Sequence, residues 1–201
     1  MPPRKHFENL VEAVQDGDFL VLTGDLIDSP AGANLRLVER LLQKNKVPFL
    51  FVPGNHEEVD KLPGGESFGL MQKPTERVEL EDLVLLGVDD SQRKITPEQI
   101  AVLEETLQLG KPVILVLHMP ILTADNEELK ACEDYYYINY EGAPAENFRF
   151  ARLVLENADK IAAVFAGHLH FENVHEIAPG LVQYVSSQGI TGHLSKYIIG
   201  E

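Results

Sequence analysis

Four short apolar runs each end in residues that can hold a metal, and this constrains the fold more than any other feature of the chain. Phe19–Leu22 runs into Gly24-Asp25-Leu26-Ile27-Asp28, and Val47–Val52 into Pro53-Gly54-Asn55-His56-Glu57. Val113–Leu117 runs into His118-Met119-Pro120, and Ile161–Phe165 into Gly167-His168-Leu169-His170. Such continuous apolar runs read as buried strands. Strands that each deliver a polar group at the carboxyl end place those groups along one sheet edge, where open α/β sheets bind ligands. Oxygen and imidazole ligands together suit borderline divalent metals such as Mn, Fe, Zn, Co or Ni. A lone Gly-Asp is usually a turn. Four such ends in one chain ask for a common purpose.

Helical patterns separate the runs. Phe7, Leu10, Val11 and Val14 fall on one face of a helix over residues 5–15, and Leu35, Val38, Leu41 and Leu42 mark a second. Thr96-Pro97-Glu98-Gln99 is a capping sequence that opens a third, carrying Ile100, Leu103 and Leu107. Phe150, Leu153 and Val154 mark a fourth. Leu83–Val88 is a further buried strand, ending in Asp89-Asp90-Ser91. The tail reads as short antiparallel strands, Asn173–Ile177, Leu181–Val185 and Lys196–Ile199, between Gly-rich turns. The expected fold class is α/β, with a mostly parallel sheet packed against a second, mixed or antiparallel sheet and helices outside. Residues 58–80 show no period. Residues 121–146 form a long connection around Tyr135-Tyr136-Tyr137, the signature of a binding loop, a lid or a disordered segment.

With 201 residues the chain supports one sizeable core, so residues 1–201 are read as a single domain. A formal net charge of -15 repels a phosphate backbone and argues against nucleic acid as partner. Local metals can still attract a small phosphorylated substrate. The single cysteine, Cys132, excludes an intramolecular disulfide and fits a reducing, cytoplasmic setting. No apolar segment follows Met1–His6, so no secretory signal is expected, and no apolar run nears the ~20 residues of a membrane helix.

The order and spacing of Gly24-Asp25-x-x-Asp28, Gly54-Asn55-His56-Glu57, His118-x-Pro120 and Gly167-His168-x-His170 resemble the calcineurin-like metallophosphoesterase superfamily, from Phe19 to the end of the chain. The resemblance implies a four-layer α/β/β/α fold and a metal-dependent hydrolysis of a phosphate mono- or diester by a metal-bound hydroxide. It implies that Asp25 bridges two metals, that Asn55, His118 and His168 complete one of them, and that His170 belongs to the other. His56 would assist the leaving group, with Glu57 orienting it. A bridging carboxylate can hold two cations about 3.5–4 Å apart, and such a pair acidifies a shared water. His168 and His170, two residues apart, would project to one face if the chain there is extended.

One family feature has no counterpart. The family opens with a strand ending in Asp-x-His, which supplies two ligands to the His170 metal, and nothing before Phe19 matches it. The expectation is an N-terminally incomplete domain lacking its first strand, with one full metal site and a second short of ligands. Two alternatives are a single-metal site, and replacement ligands from His6, Asp89 or His193. An open edge beside the Asp25 strand would invite a strand from a second copy, and so a homo-oligomer. The functional alternative to an enzyme is a catalytically impaired metal-binding or protein-interaction module on the same scaffold. Plainer readings hold elsewhere: His6 and His175 as solvated side chains, Asp28 as a helix cap, Asp89 as a loop acid and the Tyr135–Tyr137 run as packing.

Overall fold

The chain starts with an amphipathic helix, α1 (Pro3–Ala13), that tightens into a 3-10 turn at Val14–Asp16 before β1 (Leu20–Leu22). This computed structural model describes residues 3–28, 32–57, 73–133 and 136–199. α2 (Gly32–Leu42) leads to β2 (Phe49–Phe51), which pairs in parallel with β1, Leu20 opposite Phe49 and Leu22 opposite Phe51. β3 (Thr75–Glu79) and β4 (Val84–Val88) form a hairpin, followed by α3 (Pro97–Thr106) and β5 (Val113–Val116). A short α4 (Glu127–Lys130) and then α5 (Ala145–Glu156) precede β6 (Ile161–Ala166). The hairpin β7 (Asn173–Ala178) and β8 (Leu181–Val185) comes last. β3 to β8 make one six-stranded sheet in the order β3-β4-β5-β6-β8-β7. Its four inner strands are parallel and its two edges antiparallel.

Side-chain alternation along the large sheet generates the layers. Leu86, Leu115 and Val164 face Ile100 and Leu103 of α3 and Phe150 and Val154 of α5. Leu85, Ile114, Ala163 and Phe165 face the other way and meet Leu50, Phe51 and Val52 of the small sheet. The far side of the small sheet is covered by Val14 after α1, Phe7 on α1, and Val38 and Leu42 on α2. The result is the expected α/β/β/α stack. Thr96 closes its capping box with Gln99, as the sequence predicts.

The strands are shared out differently from the expectation. The four ligand-bearing strands divide two and two between the sheets, and the β7–β8 hairpin extends the large sheet instead of building the second one. Leu181, Gln183 and Val185 all turn inward, so β8 completes the core beside β6. No ladder forms at residues 196–199: Tyr197 packs on Phe165 and Tyr184 (centroids 4.8 and 4.7 Å), while Ile198 is exposed. β3 lies inside the stretch that showed no period. It is a polar edge strand with only Thr75 and Val78 partly covered, so its alternation is too weak to read. The rest of that stretch, 58–72, lies outside the described residues.

Side-chain amides fix the described part of the 121–146 connection. The Gln183 side chain accepts from Ile121 N (2.8 Å) and donates to Ile121 O (3.0 Å), and Asn139 does the same for Leu122 (2.8 and 2.9 Å). Asn147 donates to Ile138 O and Arg93 O and accepts from Ile95 N. Gln183 and Asn147 thereby satisfy buried backbone groups of Ile121, Ile95 and Ile138 that would otherwise lack partners. Among the described residues, no helix is long and apolar enough to cross a membrane.

Candidate metal centre

The carboxyl ends of β1, β2, β5 and β6 meet where the two sheets face each other. Leu117 N donates to Phe165 O and Gly167 N to His118 O, both at 2.9 Å, carrying the β5–β6 pairing up to the histidines. Across the gap, the loops after β1 and β2 touch through glycines. Gly24 has φ 92°, and a Cβ there would lie 2.6 Å from Gly54 N and 2.5 Å from His118 Nδ1. A Cβ on Gly54 would collide with the Asp25 carboxylate.

His118 is fully buried at the middle of this contact. Its Nδ1 lies 2.7 Å from Thr23 O. A carbonyl only accepts, so the ring proton sits on Nδ1 and Nε2 carries a bare lone pair. Burial lowers the pKa of His118, against the opposing pull of Asp25 and the Thr23 bond, and keeps the ring neutral. Around Nε2 stand Asn55 Oδ1 at 3.0 Å, His168 Nδ1 at 3.0 Å and Asp25 Oδ2 at 3.4 Å. At most one proton, on His168 Nδ1, fits among these four atoms, which leaves lone pairs facing each other. A cation removes that conflict. Ligands about 2.1 Å from a shared ion are about 3.0 Å apart at a right angle and about 3.4 Å apart at the tetrahedral angle. The donor set and its spacing therefore fit a divalent metal, with Asp25, His118 and His168 as a triad able to hold one.

His170 lines the same cleft but at its exposed rim, outside that triad. The extended conformation expected for His168-Leu169-His170 is not present. His168 and His170 have φ 67° and 59°, and Leu169 N closes a tight turn on Gly167 O at 2.8 Å. Buried Leu169 pins this turn against Leu129 and Val185, so the two rings diverge in depth. Asp25 is also left-handed, at φ 54°. Non-glycine residues in this region are held there by their surroundings, typically at functional sites.

Two buried acids hold the loops in place. Glu57 accepts from Gly54 N (2.7 Å), Asp25 N (2.8 Å) and Ile27 N (3.0 Å), so it clamps the β1 and β2 loops together instead of orienting His56. Burial pushes its carboxyl up to about 7 against the pull of these amides. Asp90 takes His118 N on one oxygen and Met119 N on the other, both at 2.9 Å, and burial pushes it up to about 8. The sequence offered Asp89 as a substitute ligand, but its Oδ1 is turned back onto Ser91 N and Oγ. The two adjacent acids differ in burial and in partners, neither of which the sequence reveals. Asp90→Ala should cost about 2–5 kcal/mol in a denaturant titration, because it strands two buried amides. A loss below about 1 kcal/mol would show that water takes over the carboxylate's place.

His56 is tied from both ends. Its backbone N donates to Asp25 Oδ1 (3.1 Å), and its Nδ1 donates to Asp28 O (2.9 Å). The Asp28 bond, with the charges of Asp25, Asp28 and Glu57, raises its pKa against partial burial. Asp28, read as a cap, acts here through its carbonyl. His193 is exposed, and His6 packs at Gly192. His175 is not simply solvated: its Nε2 lies 3.3 Å from Asp125 Oδ1. Asp25, Asn55, His56, His168 and His170 line a cleft of about 490 Å³ together with Ala131, Cys132, Glu133 and Tyr136.

The chain is similar in sequence and fold to known proteins. The sequence model of the calcineurin-like phosphoesterase family matches residues 3–172. A Fibrobacter succinogenes protein named as a probable cyclic nucleotide phosphodiesterase is 25% identical over 167 residues, covering 80% of this chain and 60% of that protein. A Psychrobacter arcticus protein with the same name is 27% identical over 173 residues, covering 77% of this chain and 57% of that protein. The chain thus spans less than two thirds of the length of either relative. The fold is shared with a dimetal phosphatase from Danio rerio, with a TM-score of 0.70 at 14% identity over 93% of this chain and 78% of that one.

Proposed function

The chain belongs to the calcineurin-like phosphoesterase family, and from that premise we propose that it is a metal-dependent hydrolase of small phosphate esters, with phosphodiesters as its preferred class. The observation that carries this reading is the bare His118 Nε2, ringed by Asn55 Oδ1, His168 Nδ1 and Asp25 Oδ2 at 3.0–3.4 Å. These four side chains would hold a divalent ion, and among the described residues Asp25 and His170 are the groups available to a second. A metal bound there supplies acidification of a water and neutralisation of charge on the phosphoryl oxygens.

The chain's own residues supply the rest. His56 commits Nδ1–H to Asp28 O, a bond that raises its pKa and so favours the imidazolium, whose second proton, on Nε2, can pass to the departing oxygen. Glu57 and Asp90 fix the loops that bear Asp25, Asn55 and His118, so the ligands are preorganised before substrate arrives. Phosphodiesters are favoured because both curated relatives carry that name, and cyclic nucleotides are the first substrates to assay.

The test is hydrolysis of bis(p-nitrophenyl) phosphate and cyclic AMP by Mn²⁺-loaded protein. Activity is expected to vanish with EDTA and to return with Mn²⁺. His168→Ala should weaken metal binding by at least about 100-fold, beyond the usual cost of losing a mere supporting contact. His170→Ala, at the rim, should weaken it much less. Equal losses would refute the ligand set. Full metal occupancy without any hydrolysis would make the protein a metal-binding module.

A further inference from the structure

Resting on the phosphoesterase reading, we propose that the connection between β5 and α5 carries a specificity shelf, centred on Tyr136, that selects phosphate esters whose organic group is a flat aromatic ring. The cleft is lined by two chemically different sets of residues. One is the ligand-type residues and His56. The other is Cys132, Tyr136, Leu169 and Phe171, with the acid Glu133. The volume of about 490 Å³ exceeds what a phosphate fills and lies in the range of small-molecule sites.

Tyr136 joins the two sets. Its ring centroid is 5.2 Å from that of His168, with the planes 45° apart. A phosphate drawn to a metal at the Asp25, Asn55, His118 and His168 centre would lie beside the Tyr136 ring. The ring is also well supported. Its neighbour Tyr137 is buried with Leu129, and Ile138 N is bonded to Pro120 O at 2.9 Å. The buried side chain of Gln183 ties the start of the connection, and Asn139 ties its two arms together. An aromatic ring fixed in advance loses little freedom when a second ring stacks on it, which favours affinity. Glu133 adds negative charge to the lining beside Tyr136, so an uncharged ring fits it better than a second phosphate.

The experiment measures binding of adenosine monophosphate, phenyl phosphate, ribose 5-phosphate and inorganic phosphate to Mn²⁺-loaded protein by calorimetry. Wild type should bind at least one of the two ring-bearing esters about 10-fold or more tighter than the two ring-free ligands, the scale of one ring on an aromatic face. Tyr136→Phe should keep that preference. Tyr136→Leu, which keeps apolar bulk without a flat face, should erase it while leaving ribose 5-phosphate and inorganic phosphate unchanged. A preference shared by phenyl phosphate assigns the shelf to aryl groups generally, and one confined to adenosine monophosphate assigns it to a nucleobase. The inference is overturned if wild type shows no preference or if Tyr136→Leu retains it. It is also overturned if Tyr136→Leu weakens all four ligands equally, because the ring then only supports His168. No binding of any of the four overturns the phosphoesterase reading, and this inference with it.

Discussion

Gly54→Ala is expected to empty the metal centre, with metal affinity falling at least about 100-fold and esterase activity dropping below detection. The reason is distance. A Cβ on Gly54 would run into the Asp25 carboxylate and lie 2.5 Å from Asp25 N and 2.7 Å from its Cγ. Asp25 has little room to yield. Its backbone is already left-handed at φ 54°, its N–H is bonded to Glu57 at 2.8 Å, and its Oδ1 accepts from His56 N at 3.1 Å. If the Asp25 loop moves, its Oδ2 leaves His118; if the Gly54 loop moves, Asn55 leaves with it. Either shift separates ligands of one ion, and misplacement by about 1 Å at a reacting site costs on the order of 100-fold. Gly110→Ala is the matched control. Gly110 has φ 73° but nothing within 4 Å of a new Cβ, so it should lose about 1 kcal/mol of stability through strain and keep its metal. Elemental analysis and metal titration of both variants, with thermal melts, separate the two outcomes. Undiminished metal affinity in Gly54→Ala would mean that the two loops do not meet as described.

The ends of the strands were legible because an apolar run halted by Gly-Asp, Gly-Asn-His or Gly-His is a sharp local signal. The helices and the Thr96 cap were legible for the same reason. What the sequence did not give was assignment to a sheet. A strand buried on both faces carries no mark of its partner, so β1 and β2 could not be told apart from β5 and β6. Conformation inside the motifs was equally hidden. Spacing of two suggested one face for His168 and His170, but the turn after Gly167 twists both residues into the left-handed region. Nor could identity alone sort the tyrosine run. Tyr137 goes to the core and Tyr136 to the cleft, while Tyr135 lies outside the described residues. Asp89 and Asp90 make the same point: only the fold turns one toward Ser91 and the other under His118.

His56→Ala should lower kcat by roughly 10²–10⁴, the range for loss of a positioned general acid, while metal content stays unchanged. The geometry explains why the two effects separate. The contact from residue 56 to Asp25 Oδ1 is made by the backbone N–H, which alanine keeps, so the carboxylate should hold its place. What alanine removes is the imidazolium anchored by Asp28 O, and with it the proton at Nε2. A proton donor matters in proportion to the basicity of the departing oxygen. p-Nitrophenolate leaves readily without a proton, whereas a ribose or alkyl oxygen needs one. The loss in kcat should therefore be small for bis(p-nitrophenyl) phosphate and large for cyclic AMP, measured on the same metal-loaded preparation. Equal losses for both substrates would assign His56 to holding the phosphate rather than to the leaving group. A fall in metal content alongside the rate would make it a structural part of the Asp25 loop.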